Sequence, residues 1–323
     1  MAKVLCLGEI LVDQIASPSS EKISKYYGGA PANVACGLAK LGTTSAFIGC
    51  IGTDQIGIEL LEVLNNNGVD TSGVQIHPSA PTRQVYVQLD QNGDRHFKGF
   101  AAQTDNRLDD QKTVFADALL NAADLPVRLF EDAEFLVLGT LGLASAVTAK
   151  AVHRALDLAE DNFIKVIVDV NWRPIFWSNP DQAPKLINDL ILRADFVKFS
   201  AEEAEWLYQT SNPRAIAQEF DHLEGVIVTN GDQSCRYYLG EYTGQVSAFK
   251  VEVVDATGAG DSFLAGFLHQ ICQINLDLLA DPPISSEIIR YASAVGAITT
   301  MGMGAIAAQP NGLQVQNFLK ERI

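Results

Sequence analysis

Six short apolar runs constrain this chain more than any other feature: Val4–Leu7, Ser45–Ile51, Phe135–Leu138, Val166–Val170, Phe196–Phe199 and Val226–Val228. A short, almost wholly apolar run reads as a strand covered on both faces. The segments between them repeat apolar residues at helical spacing. They predict helices from Pro31 to Leu41, Asp54 to Leu64, Ala146 to Ala159, Ala183 to Leu192, Ser286 to Thr300 and Leu313 to Glu321, with one more near Gln111–Leu120. Strand and helix in alternation predict a parallel α/β sheet.

One region breaks the alternation. Arg83–Asp90 alternates polar and apolar residues, Asn92-Gly93 is a tight-turn signal, and Arg95–Lys98 returns. With the segment after Asp13, this hairpin predicts a small sheet covering a pocket; an edge hairpin closing the main sheet is the plainer reading. Tyr237–Leu239 and Val246–Val253 read as further short strands.

The chemistry concentrates late in the chain. Asp255-Ala256-Thr257-Gly258-Ala259-Gly260-Asp261 is a small-residue turn running into an apolar helical stripe formed by Phe263, Leu264, Phe267, Leu268 and Ile271. The first N–H groups of a helix lack internal partners and carry the positive end of its dipole, so such a turn seats an anion, most often a phosphate. Asp261 either caps this helix or takes a proton from the group that attacks the phosphate.

Composition narrows the partners. A formal net charge of −16 argues against nucleic acid, which needs clustered Lys and Arg, but leaves room for a nucleotide at one local positive seat. The five cysteines include no C-x-x-C pair, so neither a disulfide framework nor a zinc site is expected. No apolar run is long enough to span a membrane, and the first residues lack a signal-peptide pattern, so the expectation is a cytoplasmic protein. No Walker loop, G-x-G-x-x-G or G-x-S-x-G motif is present.

Other candidates lie at predicted strand ends, where open α/β sheets bind ligands. Asp13 follows the first strand as a hydroxyl binder or a solvated loop residue. Gly28-Gly29-Ala30-Pro31-Ala32-Asn33 sets Asn33 in the first turn of a helix, facing a Gly-Gly loop or simply capping. Asn171 and Arg173 end another strand; Arg suits phosphate through its planar fork, or stacks on Trp172 or Trp177. Glu203 opens a helix after Ser200, as an N-terminal acid or as a Mg2+ holder through water. Asn230-Gly231 forms a loop able to meet a nucleotide.

Gly28–Asn33 and Asp255–Asp261 together resemble the two signatures of the ribokinase-like (PfkB) carbohydrate kinases, and the order of elements is similar over the whole chain. The resemblance implies a three-layer α/β/α sandwich with a small β lid: residues 1–12, 30–80 and 105–323 in the main domain, 13–29 and 81–104 in the lid. It implies an ATP-dependent sugar kinase with Asp261 as catalytic base, an anion hole at Gly258, Ala259 and Gly260, and sugar contacts at Asp13, Gly28, Gly29, Asn33 and Asn171. It sets Ser200, Thr229, Gly231 and Ser293 at the nucleotide, Glu203 near Mg2+, and Asp255, Thr257 and Gly304 at a monovalent cation such as K+. Asp169–Arg173 and Gly304-Ala305-Ile306 are similar to fructokinases, with Arg173 assisting transfer. Two departures stand out. Ser200 replaces a frequent Asn, and Phe100-Ala101-Ala102 stands where fructokinases usually carry Arg. Fructose is the expected acceptor; 2-keto-3-deoxygluconate, ribose and nucleosides are the alternatives within the family, and a non-catalytic scaffold is the alternative outside it. A homodimer through the lid is also implied.

Overall fold

The computed structural model describes residues 2–16, 23–89, 95–101 and 113–322. Its strands are β1 (Val4–Leu7), β2 (Leu11–Ala16), β3 (Ile23–Gly28), β4 (Ser45–Gly52), β5 (Asp70–His77), β6 (Gln84–Leu89), β7 (Arg95–Ala101), β8 (Phe135–Gly139), β9 (Lys165–Asp169), β10 (Phe196–Ser200), β11 (Gly225–Thr229), β12 (Ser234–Leu239) and β13 (Tyr242–Ser247). Nine of them form one sheet in the order β13-β12-β11-β10-β9-β8-β1-β4-β5. The ladders from β11 through β5 are parallel, and the β12–β13 hairpin adds an antiparallel edge.

Successive strand residues point to opposite faces, so each apolar run feeds two cores. Val4, Cys6, Phe47, Val137, Ile167, Phe196 and Ile227 enter one core with helices Ala30–Leu41, Gln55–Asn66, Ala259–Ile271 and Pro282–Thr300. Leu5, Leu7, Ile48, Leu138, Val168, Phe199 and Val228 enter the other with helices Ala146–Asp161 and Ala183–Ile191. That is the expected α/β/α sandwich. Removing one fully buried ring from it, such as Phe267, costs about 3–5 kcal/mol.

From β1 the chain runs out to β4 and β5, then returns to β8 and continues to β11. The strand order therefore reverses between β1 and β8, and ligands bind in the crevice at the carboxyl ends of such a switch. Glu9, Thr140, Asn171, Ala201 and Asn230 all follow strand ends on this edge.

The second sheet has the order β3-β2-β6-β7. Asp13, expected just past a strand end, lies within β2, opposite Tyr26 and Val85. Several side chains tie the sheet to the body. Lys25 and Tyr27 reach Glu59, each at 3.2 Å. Arg83 donates to Asp117 at 2.7 Å, with its guanidinium 4.5–5.2 Å from the ring centres of Phe100, Phe115 and Phe176.

Three expectations change. The helix near Gln111–Leu120 begins outside the described residues, and its described part is only a 3-10 turn, Ala116–Leu119. The segment is pinned by Ala116 N–H to Pro81 O and by Asp117 to Arg83, which fixes it as a strap. β5 was not expected, because an edge strand paired on one side carries Asp70, Thr71, Ser72 and Gln75. The last strand stops at Ser247, since residues 248–253 have no ladder partner. The Asn92-Gly93 turn lies outside the described residues. No described helix is long and apolar enough to cross a membrane.

Candidate active site

The late turn ends at Gly258, the N-cap of helix Ala259–Ile271, with φ 75°. Only glycine adopts this conformation readily, and a Cβ here would lie 2.5 Å from that of Ala305. The first helical bond runs from Ser262 N–H to Gly258 O at 2.9 Å. The N–H groups of Gly260 and Asp261 precede it and have no helical acceptor. Ala259 differs from expectation: its N–H bends back to Ala256 O at 3.3 Å. The helix tip thus presents mainly the amides of Gly260 and Asp261.

The early loop meets this tip directly. Asn33 Nδ2 donates to Asp261 Oδ2 at 2.7 Å, across 228 positions of sequence. Gly29, at φ 115°, lets the loop pack against the chain after β1, because a Cβ there would stand 2.5 Å from the Glu9 carbonyl. Glu9 Oε1 accepts the Ala30 N–H at 3.0 Å, and Gln309 Nε2 donates to Asn33 O at 2.8 Å and Ser262 Oγ at 3.2 Å. Gln309 thus ties both helix tips together.

Burial pushes the Asp261 carboxyl up to about 6, helped by the Asp169 charge. The Asn33 hydrogen bond, Lys198 and Arg173 act against the rise. The group is ionised at neutral pH yet basic enough to accept a proton, the property a general base needs.

Two neighbours were not singled out from sequence. Lys198 Nζ donates to Asp169 Oδ1 at 2.8 Å, with side chains 7% and 3% exposed. The sequence signal was available: a lysine and an aspartate, each a lone charge amid apolar residues of successive strands. Glu9 is buried, and desolvation raises its carboxyl to about 7. With Gly8, Arg83 and Asp117 it lines a cavity of about 60 Å³ at the strand-order switch.

A second cleft, of about 380 Å³, is lined by Trp172, Arg173, Ser200, Glu202, Glu203 and Trp206. Trp172 stacks on Trp206 with centroids 4.5 Å apart and lies 5.3 Å from Trp177. The tryptophans stack on one another, and Arg173 donates to the Trp172 carbonyl at 2.9 Å. Ser200 and Glu203 form a reciprocal capping box, and the second Glu203 oxygen accepts Trp172 N–H at 2.6 Å. The capping reading of Glu203 is realised; each oxygen keeps a lone pair for water. Thr229 stands beside Ser200 in the sheet, and its hydroxyl donates to Phe199 O at 3.2 Å. Asn171 and Gly231 take positive φ, 37° and 50°. Ser293 donates to Ile289 O at 2.8 Å within its own helix, the one packed against the Gly258–Asp261 tip.

Asp255, Thr257 and Gly304 come together as one cluster. Asp255 Oδ1 accepts Thr257 N–H and hydroxyl at 3.0 and 2.6 Å, and Oδ2 accepts Gly304 N–H at 3.0 Å. Among the described residues, no group of three or more His, Cys, Asp or Glu is placed to hold a metal by itself.

Comparison with known proteins agrees with this geometry. A family model described as pfkB family carbohydrate kinase matches residues 1–312. The chain is 34% identical over 330 residues to "Probable fructokinase-6, chloroplastic" of Arabidopsis thaliana, covering 99% of this chain and 83% of that protein. It superposes on the fructokinase with bound ATP from Xylella fastidiosa with a TM-score of 0.90 and 28% identity, over 100% of this chain and 99% of that one. The Vibrio cholerae fructokinase solved with fructose, ADP and calcium gives a TM-score of 0.84 and 28% identity, over 99% of each chain.

Proposed function

This chain belongs to the pfkB family of carbohydrate kinases, and from that membership we propose that it transfers the γ-phosphoryl group of ATP to a primary hydroxyl of D-fructose, giving fructose 6-phosphate. The observation that carries the reading is the 2.7 Å contact between Asn33 and Asp261, which joins an acceptor loop to an anion seat at one point.

Asp13, Gly28, Gly29, Asn33 and Asn171 hold the sugar hydroxyls. Asp261 accepts the proton of the attacking hydroxyl, and the amides of the Gly258–Asp261 turn stabilise the charge that develops on the transferred group. Arg173 neutralises phosphate from the cleft wall. Ser200, Thr229, Gly231 and Ser293 line the nucleotide along the carboxyl edge. Mg2+ fits this donor set, since it is bound chiefly by phosphate and water with few carboxylates, here Glu203 through water, and it supplies charge neutralisation. Asp255, Thr257 and Gly304 hold a monovalent cation such as K+ beside the seat. Closure of the lid sheet excludes water from the transfer.

The free cysteines support a reducing compartment such as the cytoplasm. A homodimer through the lid is supported by β3, which among the described residues is an edge strand of the small sheet, with Ile23, Ser24 and Lys25 exposed.

The test is an ADP-release assay with fructose, 2-keto-3-deoxygluconate, ribose and nucleosides as acceptors. Fructose is expected to give the highest kcat/KM by at least about tenfold, the scale on which hydrogen-bonded sites discriminate. A higher value for another acceptor overturns fructose. No turnover of any acceptor by folded protein overturns the kinase reading in favour of a scaffold.

A further inference from the structure

Lys198 is a cation deep in the molecule that the transfer scheme above does not use. It sits in the middle of β10, in register with Asp169 of β9, and donates to Asp169 Oδ1 at 2.8 Å. Asp169 Oδ2 has no partner among the described residues. Burying such a pair without further hydrogen bonds is expensive, and apolar residues of similar volume serve stability as well or better. Stability therefore does not explain the pair.

Its position does. A Cβ built on Gly260 would lie 3.4 Å from Lys198 Nζ. The ammonium is therefore packed against the first turn of helix Ala259–Ile271, behind the amides of the seat and next to the residue that precedes Asp261. A helix tip offers roughly half a positive charge; a buried lysine behind it adds a further fixed positive charge, partly offset by Asp169, that needs no rearrangement during reaction.

We propose that Lys198 is a positioning residue for phosphoryl transfer: held by Asp169, its ammonium is the fixed positive charge behind the Gly258–Gly260 turn, and it acts on the reaction through Asp261. The charged groups facing Asp261 are Asp169 on β9, Lys198 on β10, Arg173 after β9, and Glu9 after β1; Glu203 also faces Lys198. Asp169 favours the protonated form of Asp261, and Lys198 and Arg173 favour the ionised one. Lysine and aspartate thus work as opposed controls on the same carboxylate, which is why they occur as a pair.

The inference rests on the kinase reading, so the wild-type protein must first turn over an acceptor. Inactivity of wild type defeats that reading, whereas the outcomes below bear only on Lys198. The readout is the acid limb of the pH profile of kcat, with both substrates saturating. Lys198→Met leaves the Asp169 charge uncompensated, so the limb should move to higher pH by about one unit, the size expected for a unit charge in a partly screened interior. Lys198→Met with Asp169→Asn removes both controls and should return the limb to within about half a unit of wild type. An unmoved limb in Lys198→Met, or a limb still displaced in the double variant, overturns the proposal, because repacking alone would not be reversed by neutralising Asp169. Should Lys198→Met fail to fold, Asp169→Asn decides: the limb should move to lower pH, and an unmoved limb overturns the proposal.

Discussion

Replacing Asp261 by Asn should make the protein nearly inactive and, above about pH 6, more stable. The side chain keeps its shape and can still accept the Asn33 hydrogen bond through its amide oxygen, so the fold is undisturbed. Loss of a general base removes about two to four decades of kcat. The stability gain follows from linkage. The carboxyl rises from 3.8 to about 6 in the folded chain, so the folded protein holds this proton more tightly than the unfolded one. Its contribution is fully present below pH 3.8 and is lost as pH rises through about 6. A shift of about two pH units corresponds to roughly 3 kcal/mol. The carboxyl is only half-buried, and solvent screening trims the figure to about 1–2 kcal/mol. Asn carries no such penalty. Thermal melts of the two proteins should coincide near pH 4 and diverge by roughly 2–4 °C in favour of the variant at pH 7. The assays are initial-rate ADP release and paired melts across that pH range. A variant with kcat within tenfold of wild type removes Asp261 from the base role. One that is no more stable at neutral pH than at pH 4, relative to wild type, refutes the electrostatic account.

Three further perturbations probe the surroundings. Gly29→Ala places a Cβ 2.5 Å from the Glu9 carbonyl at φ 115°; it should lose about 1–3 kcal/mol in urea unfolding and raise KM for the acceptor more than for ATP. Arg83→Met breaks the 2.7 Å pair with Asp117 and strands a buried carboxylate, an expected loss of about 3–5 kcal/mol by the same measurement; a loss below 1 kcal/mol would show that the small sheet is anchored by the ring stack rather than the ion pair. Asp255→Asn cannot accept both Thr257 and the Gly304 N–H, so any rise in rate between potassium-free and potassium-containing buffer should disappear.

Much of this was legible in the chain because burial on both faces of a strand leaves a direct mark. The runs at Val4, Phe135 and Phe196 had to be inner strands of a parallel sheet, and they are. The helix start after Gly258 was legible because a small-residue turn followed by an apolar stripe marks one, whereas the turn alone left the role of Asp261 open between cap and base. What escaped depends on partners distant in sequence. A lone charge in an apolar run marks Lys198 as buried but not what it pairs with, and nothing local marks Glu9; their meaning comes from Asp169, 29 positions away, and Ala30, 21 positions away. Ala259 escaped for a finer reason, since the direction of a single N–H depends on the turn's dihedral angles. β5 escaped because an edge strand with one neighbour lacks the apolar run on which the reading relied.

All three tryptophans of the chain stand in the one aromatic cluster formed by Trp172, Trp177 and Trp206. Trp172 and Trp206 form part of the wall of the larger cleft. The tryptophan emission of the unlabelled protein therefore originates at a single place. A nucleotide ring entering there would slide against stacked indoles, and quenching or a colour shift would record its arrival without any engineered dye. Any ligand entering that cleft would meet an optical gauge already built into its wall.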